Sequence, residues 1–245
     1  MKQILVATDF SNGAANAMEY AMALAKTLDM EVCAIHAILP TEGVDNNIYN
    51  AFFIKDYYNN KRRALKEWVA KYASNDEYKN VEVSTLCEVG LVKNVITKYI
   101  NEHHVELLVM GITGSTGISG IVGSNASTLV SIVKIPTLII PLESKFSKTP
   151  VITLATDYET RLSADDVNAL NEMVLAFGSE KMQVLYVGEK SDVKHVETGE
   201  SRLKELIKHT ELKFNYINES STISGIMDFI ENHHETDILC LVKHH

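Results

Sequence analysis

The chain has 245 residues, 46% of them hydrophobic and 22% charged, with a formal net charge of −9. Such a mixture builds a buried core, and the length fits one large domain or two of roughly 120 residues. The acidic balance and the lack of a Lys/Arg stripe exclude nucleic acid and anionic membrane as partners, since both require a positive surface.

The N-terminal MKQILVATDF enters a strand pattern at once, with no apolar leader and cleavage site. No segment reaches the ~18 apolar residues of a membrane span. A cytoplasmic protein is expected. The three cysteines, Cys33, Cys87 and Cys240, lie far apart in apolar runs without CxxC spacing and read as structural thiols. The doublets His103-His104, His233-His234 and His244-His245 point about 100° apart on a helix, poor geometry for one ion, and read as helix-end or surface residues. Lys61, Arg62 and Arg63 form the one basic cluster, read as a solvated helix face.

Taken in chain order, Gln3 to Thr8 is a continuous apolar run that reads as a buried strand, and Ser11 caps a helical pattern through Leu28. Glu31 to Leu39 is a second strand, followed by a polar stretch around Thr41 to Asn47 and a long helix reaching Ala73. Val81 to Cys87 reads as a third strand, Leu91 to Ile100 as a helix and Leu107 to Met110 as a fourth strand. After a glycine-rich loop come a helix from Ser124 to Val133 and a fifth strand from Ile135 to Leu142. This alternation predicts an α/β fold with a parallel sheet covered on both faces and right-handed crossovers.

Glu143 to Pro150 reads as a linker, after which the opening pattern returns: VITLATD at Val151 to Asp157 answers QILVATD at Gln3 to Asp9. Met182 to Val187 answers the second strand, and FIENHHETDILCLV from Phe229 answers YINEHHVELLVMG from Tyr99 with one insertion. Two repeats follow, over residues 1–145 and 150–245. The second is degenerate as given: nothing in it answers Gly111 through Leu142, so it lacks the glycine loop, last helix and fifth strand.

Chemistry concentrates in the stretch from Met110 to Asn125, with glycines at 111, 114, 117, 120 and 123 between a buried strand and a helix start. Backbone N–H groups freed of side chains, with the helix N-terminus behind them, form a phosphate cradle; a flexible surface loop is the other reading. No Walker ending is present, and Asp9 to Ser11 stand where a dinucleotide fingerprint would place its first glycines. Asp9 ends the first strand, where the carboxyl ends of a parallel sheet face a ligand crevice. It can accept hydrogen bonds from ribose hydroxyls or hold a water on Mg²⁺; alternatively it is a capping or turn carboxylate.

The strand ending Thr-Asp-Phe-Ser at Thr8 to Ser11, the pair His36-Ala37, Gly90, and the Met-Gly-x-x-Gly…Gly-Ser-Asn loop together resemble the universal stress protein family, over the whole first repeat and the second to its present end. The resemblance implies two Rossmann-like repeats and an adenine nucleotide, ATP or a relative, with or without Mg²⁺. It places Asp9 and the Ala37 position at the nucleoside, Met110, Gly111 and Gly114 near ribose and phosphate, and Gly123, Ser124 and Asn125 at the phosphates. The family's ATP-binding loop has nine residues between its second and third glycines; here eight separate Gly114 from Gly123. In the second repeat Tyr158 and Glu159 replace Phe10 and Ser11, and Val242 replaces Gly111, so no nucleotide is expected there.

The expected function is a stress-related regulatory module that binds the nucleotide in repeat 1; the alternative is an interaction or dimerisation module of the same fold that does not bind it. Catalysis beyond weak ATP hydrolysis is not expected, because no His, Glu or Lys stands in the loop to activate water. Family members pair through fifth strands, which implies a homodimer or pseudo-dimer at Ile135 to Leu142.

Overall fold

The computed structural model describes residues 2–42, 51–112, 124–159, 162–188, 193–232 and 235–242, without the side chains of 51–53, 124–125 and 193–195. The chain divides into two compact units, residues 1–146 and 147–245.

In the first unit, β1 (Gln3–Ala7), α1 (Asn12–Leu28), β2 (Glu31–Ile38), α2 (Ala51–Ala73), β3 (Val83–Val89), α3 (Val92–Glu102), β4 (Val105–Ile112), α4 (Ser124–Ile132) and β5 (Thr137–Pro141) alternate along the chain. The sheet is wholly parallel, in the order β3-β2-β1-β4-β5. Ile4, Leu5 and Val6 are each 0% exposed, which explains the unbroken apolar run: the central strand is covered on both faces. Leu5, Ile35, Leu108 and Met110 form one core with Val95 and Ile96 of α3 and Leu129 of α4. Ser11 caps α1, its Oγ accepting from the Ala14 N–H at 3.2 Å, and the helix ends on Asp29 in the left-handed region at φ 53°.

The strands depart from the sequence reading at their ends. β3 begins at Val83, not Val81, because the Val81 N–H is spent on the Tyr78 carbonyl at the close of a short turn, 2.9 Å away. It continues to Val89 because Glu88 and Val89 pair with Ala37 and Ile38. β5 is shorter than Ile135 to Leu142, keeping only Thr137 to Pro141.

The second unit runs β6 (Ile152–Ala155), α5 (Ala164–Ala176), β7 (Lys181–Val187), α6 (Val193–Leu206), β8 (Glu211–Ile217), α7 (Thr222–Asn232) and β9 (Ile238–Leu241). Its parallel order β8-β7-β6-β9 repeats β3-β2-β1-β4 of the first sheet. Its core is more polar. Thr153 and Gln183, 0% and 4% exposed, stand where repeat 1 has Leu5 and Cys33. They are satisfied by Thr236 at 3.0 Å and Glu235 at 3.1 Å. Helix α5 opens on a capping box: Ser163 Oγ accepts from the Asp166 N–H at 3.1 Å, and Asp166 Oδ2 accepts from the Ser163 N–H at 2.8 Å. Ser163→Ala is expected to cost about 1 kcal/mol, read by urea unfolding of the full chain.

Candidate functional site

The connections of the first sheet run outward in one direction from β1 through β2 to β3 and in the other from β4 to β5. The order therefore reverses between β1 and β4, whose ends are in register at Ala7 and Met110. At such a reversal the flanking loops leave toward opposite faces and open a crevice beyond the carboxyl ends of the strands.

Beyond β1 the chain makes a tight turn. Thr8 Oγ1 accepts from the Phe10 N–H at 3.0 Å, Asp9 Oδ1 accepts from the Ser11 N–H at 2.9 Å, and Phe10 is held at φ 66°. Asp9 is exposed at this turn. Partial burial raises its pKa, but the hydrogen bonds from Ser11 outweigh that and hold the carboxyl below its usual range. A depressed folded-state pKa stabilises at neutral pH, and the stabilisation is lost as pH falls below the ordinary carboxyl value of about 4. Wild type is therefore expected to lose more stability than Asp9→Asn on acidification from about pH 5 to pH 3, measured by urea unfolding.

The second unit builds the same turn. Thr156 Oγ1 accepts from Tyr158 N–H and Asp157 Oδ1 from Glu159 N–H, both at 3.0 Å, with Tyr158 at φ 60°. Asp9 thus has a structural reason to be aspartate that Asp157 shares.

Gly111 also has one. A Cβ built on it would lie 2.0 Å from the Gly13 carbonyl oxygen, so the first turn of α1 rests directly on the end of β4. The Met110 side chain is 4% exposed and belongs to the core, and Ala37 packs partly buried against the same core. Met110 is therefore left with its backbone to address a ligand, while the Ala37 methyl keeps partial exposure. Ser124 and Asn125 open α4, with side chains outside the described residues, as are Gly114 and Gly123 themselves.

Two features of the site were not anticipated from sequence. His36, 7% exposed, has Nδ1 2.8 Å from the Thr8 carbonyl oxygen, and its Nε2 is buried with no hydrogen-bond partner among the described residues. Phe10 leans on the imidazole with ring centroids 4.5 Å apart and meets Trp68 edge-on at 5.9 Å. The signal was a histidine inside an otherwise apolar strand. The second feature is Glu42, which accepts from Leu39 N–H at 3.0 Å, Tyr57 O–H at 2.9 Å and Lys61 Nζ at 3.2 Å. Lys61 is thus tied to the chain leaving β2 rather than simply solvated, whereas Arg62 and Arg63 bond Asn59 and Asn60 on the exposed face of α2.

Cys33 is buried and Cys87 and Cys240 are half-buried, and burial raises all three thiols above their ordinary pKa. His103 ends α3 stacked on Tyr99 at 3.9 Å, while the other two histidine doublets lie outside the described residues. No group of three or more potential metal ligands occurs among the described residues, nor any helix long and apolar enough to cross a membrane.

Two doubly wound parallel sheets with matching strand orders define an α/β protein of Rossmann-like, two-repeat construction. The Universal stress protein family model matches residues 1–141, and the chain belongs to that family. A universal stress protein from Archaeoglobus fulgidus DSM 4304 is 18% identical with a TM-score of 0.74, over 98% of this chain and 86% of that one. An Arabidopsis thaliana family protein solved with AMP bound is 16% identical, over 58% of this chain and 92% of that one, with a TM-score of 0.41. A universal stress protein in complex with cAMP is 19% identical, over 57% of this chain and 96% of that one, with a TM-score of 0.40. No curated protein matches the chain.

Proposed function

We propose that repeat 1 binds an adenine nucleotide, ATP or a close relative, in a cytoplasmic regulatory module that responds to occupancy rather than turnover. The observation that carries this reading is the reversal of strand order between β1 and β4, with Asp9 beyond one strand and Gly111 at the end of the other. The described residues suit the nucleoside end of such a ligand. Asp9 offers an ionised acceptor for ribose hydroxyls, and Ala37, Met110 and Gly111 offer backbone groups. The phosphates would fall to Gly114, Gly123, Ser124 and Asn125. Mg²⁺ would ride on the phosphates and water, as it does where a site supplies few carboxylates.

Repeat 2 is read as a partner without nucleotide. It carries Tyr158 and Glu159 where repeat 1 has Phe10 and Ser11, and Val242 where repeat 1 has Gly111. Strand β5 is hydrogen-bonded on one side only within its sheet, and a homodimer or pseudo-dimer through it is part of the proposal. For the homodimer, light scattering at micromolar concentration should return a mass above the 27.3 kDa of one chain.

The alternative, an interaction module that holds no nucleotide, is favoured by one observation: Asp9 and Gly111 both serve the fold itself. The test is mass spectrometry of small molecules released from fresh protein, joined to thermal shifts with ATP, ADP and AMP. Ligand at one hundred times Kd should stabilise by about 2.7 kcal/mol. Neither recovery nor shift would sink the nucleotide reading and leave the interaction module standing.

A further inference from the structure

We propose that Leu91 is a specificity-determining residue of the repeat 1 crevice, an apolar wall against which the flat base of the bound nucleotide lies. This rests on the reading of the crevice as a nucleotide site and adds to it what holds the base.

Leucine is a poor residue for the place it occupies. Leu91 is the N-cap of α3 and makes no side-chain bond to the helix, where Ser, Thr, Asp or Asn would satisfy an unpaired N–H. Helices α1, α5 and α7 open instead on Ser11, Ser163 and Ser221, whose Oγ atoms accept from the N–H groups of Ala14, Asp166 and Ser224. Val95 N–H donates to Leu91 O and Gly225 N–H to Ser221 O, both at 3.0 Å, so Ser221 is the counterpart of Leu91 in repeat 2. Burial does not explain the leucine either, since Leu91 is 48% exposed.

Its surroundings place it at the crevice. Ala7 ends β1 in register with Met110 of β4 and with Ile35 of β2, and β2 runs on past that level to Ile38. Ala7, Ala37 and Val92 lie partly buried on one core, so the ends of β1 and β2 and the first turn of α3 share a face of the sheet. On that face the two alanines make a low apolar floor beside the start of α3. Leu39, 40% exposed, leaves β2 where Gly90 N–H donates to the Ile38 carbonyl at 2.9 Å, one residue before Leu91. Glu42 fixes Leu39 there, accepting its N–H at 3.0 Å and donating its own N–H to the Leu39 carbonyl at 2.9 Å. An alanine floor edged by leucines suits a ring with apolar faces and leaves the polar sugar to Asp9.

The second repeat supplies the contrast. Thr8 N–H donates to Ile35 O at 3.0 Å and Thr156 N–H to Leu185 O at 2.9 Å, so Val187 stands in the place of Ala37. Valine raises the floor and Ser221 takes away the wall, in the repeat read as holding no nucleotide.

The experiment titrates the full chain with ATP in wild type, Leu91→Ser and Leu91→Met, and records the thermal unfolding of each. Leu91→Ser introduces the cap that repeat 2 has, so Tm should rise by roughly 2 to 4 °C. ATP should nevertheless bind it about tenfold more weakly, the loss expected when about half of a leucine's apolar burial is forfeited. A role in the fold alone does not move stability and affinity in opposite senses. Leu91→Met, apolar and unable to cap, should recover most of the lost affinity. In wild type the Leu91 methyl proton resonances should move upfield on ATP addition, because a ring stacked on them shields them, and this readout needs no variant to fold. If Leu91→Ser loses stability and affinity together, the wild-type methyl shift decides. Unchanged ATP affinity in Leu91→Ser, equal losses in Leu91→Ser and Leu91→Met, or unmoved methyl resonances at saturating ATP overturns the role of Leu91 while leaving the nucleotide site intact. A wild type that binds no ATP overturns the site reading and this proposal with it.

Discussion

Gly111→Ala is expected to destabilise the first unit by about 3 kcal/mol, the upper part of the range for forcing an extra methyl into a packed interior. The added Cβ would meet backbone rather than a yielding side chain: the Gly13 oxygen at 2.0 Å, its carbonyl carbon at 2.2 Å and the Ala14 nitrogen at 2.7 Å. Relief requires the whole first turn of α1 to lift from β4. In thermal unfolding the loss should appear as a fall of roughly 6 to 12 °C in Tm. Gly178→Ala is the control. Gly178 sits at φ 57° with nothing within 4 Å of a built Cβ, so the substitution costs only the backbone strain, about 1 kcal/mol. Comparable losses for the two glycines would show that α1 can move freely over β4. The distinction matters for function, because loss of nucleotide affinity in Gly111→Ala would report a displaced helix rather than a removed contact.

The alternation of apolar runs and amphipathic stretches made most elements of the first unit legible, since a strand covered on both faces, such as Ile4 to Val6, cannot carry polar residues without partners. Strand ends were less legible because they depend on where single N–H groups are spent. Val81 looks like a strand residue and is a turn residue because Tyr78 claims it. The repeat was visible in VITLATD, but the polar core of the second unit was not, because Thr153 and Gln183 are tolerated only through Thr236 and Glu235, some fifty to eighty positions away. At the site, sequence could name Asp9 and Gly111 but not separate their structural duties from a ligand's. The first duty is a hydrogen bond to Ser11, the second a close approach to Gly13, and both exist only once the chain is folded. His36 was read only as part of the family likeness and given no role, because one histidine in a strand does not announce which of its nitrogens is satisfied.

The two aspartates that open the repeats separate turn from ligand. Asp9→Ala and Asp157→Ala remove matching bonds, at 2.9 Å to Ser11 and 3.0 Å to Glu159, and each should cost about 1 kcal/mol of stability. Under the nucleotide reading only Asp9→Ala should also weaken ATP binding, by about ten- to a hundredfold, the effect of deleting a charged acceptor. Asp9→Asn refines the comparison. Its amide oxygen can still receive the Ser11 N–H, so the turn survives at neutral pH, while the loss of negative charge should weaken the hold on ribose hydroxyls. If Asp9→Ala and Asp157→Ala weaken ATP equally, binding depends on overall stability and not on the crevice. If Asp9→Ala leaves affinity unchanged, the carboxylate belongs to the turn alone, and the ligand, whatever its class, is held elsewhere. Stability loss in both variants with affinity loss in one is the pattern expected when the same local fold has been kept twice and put to a ligand's use once.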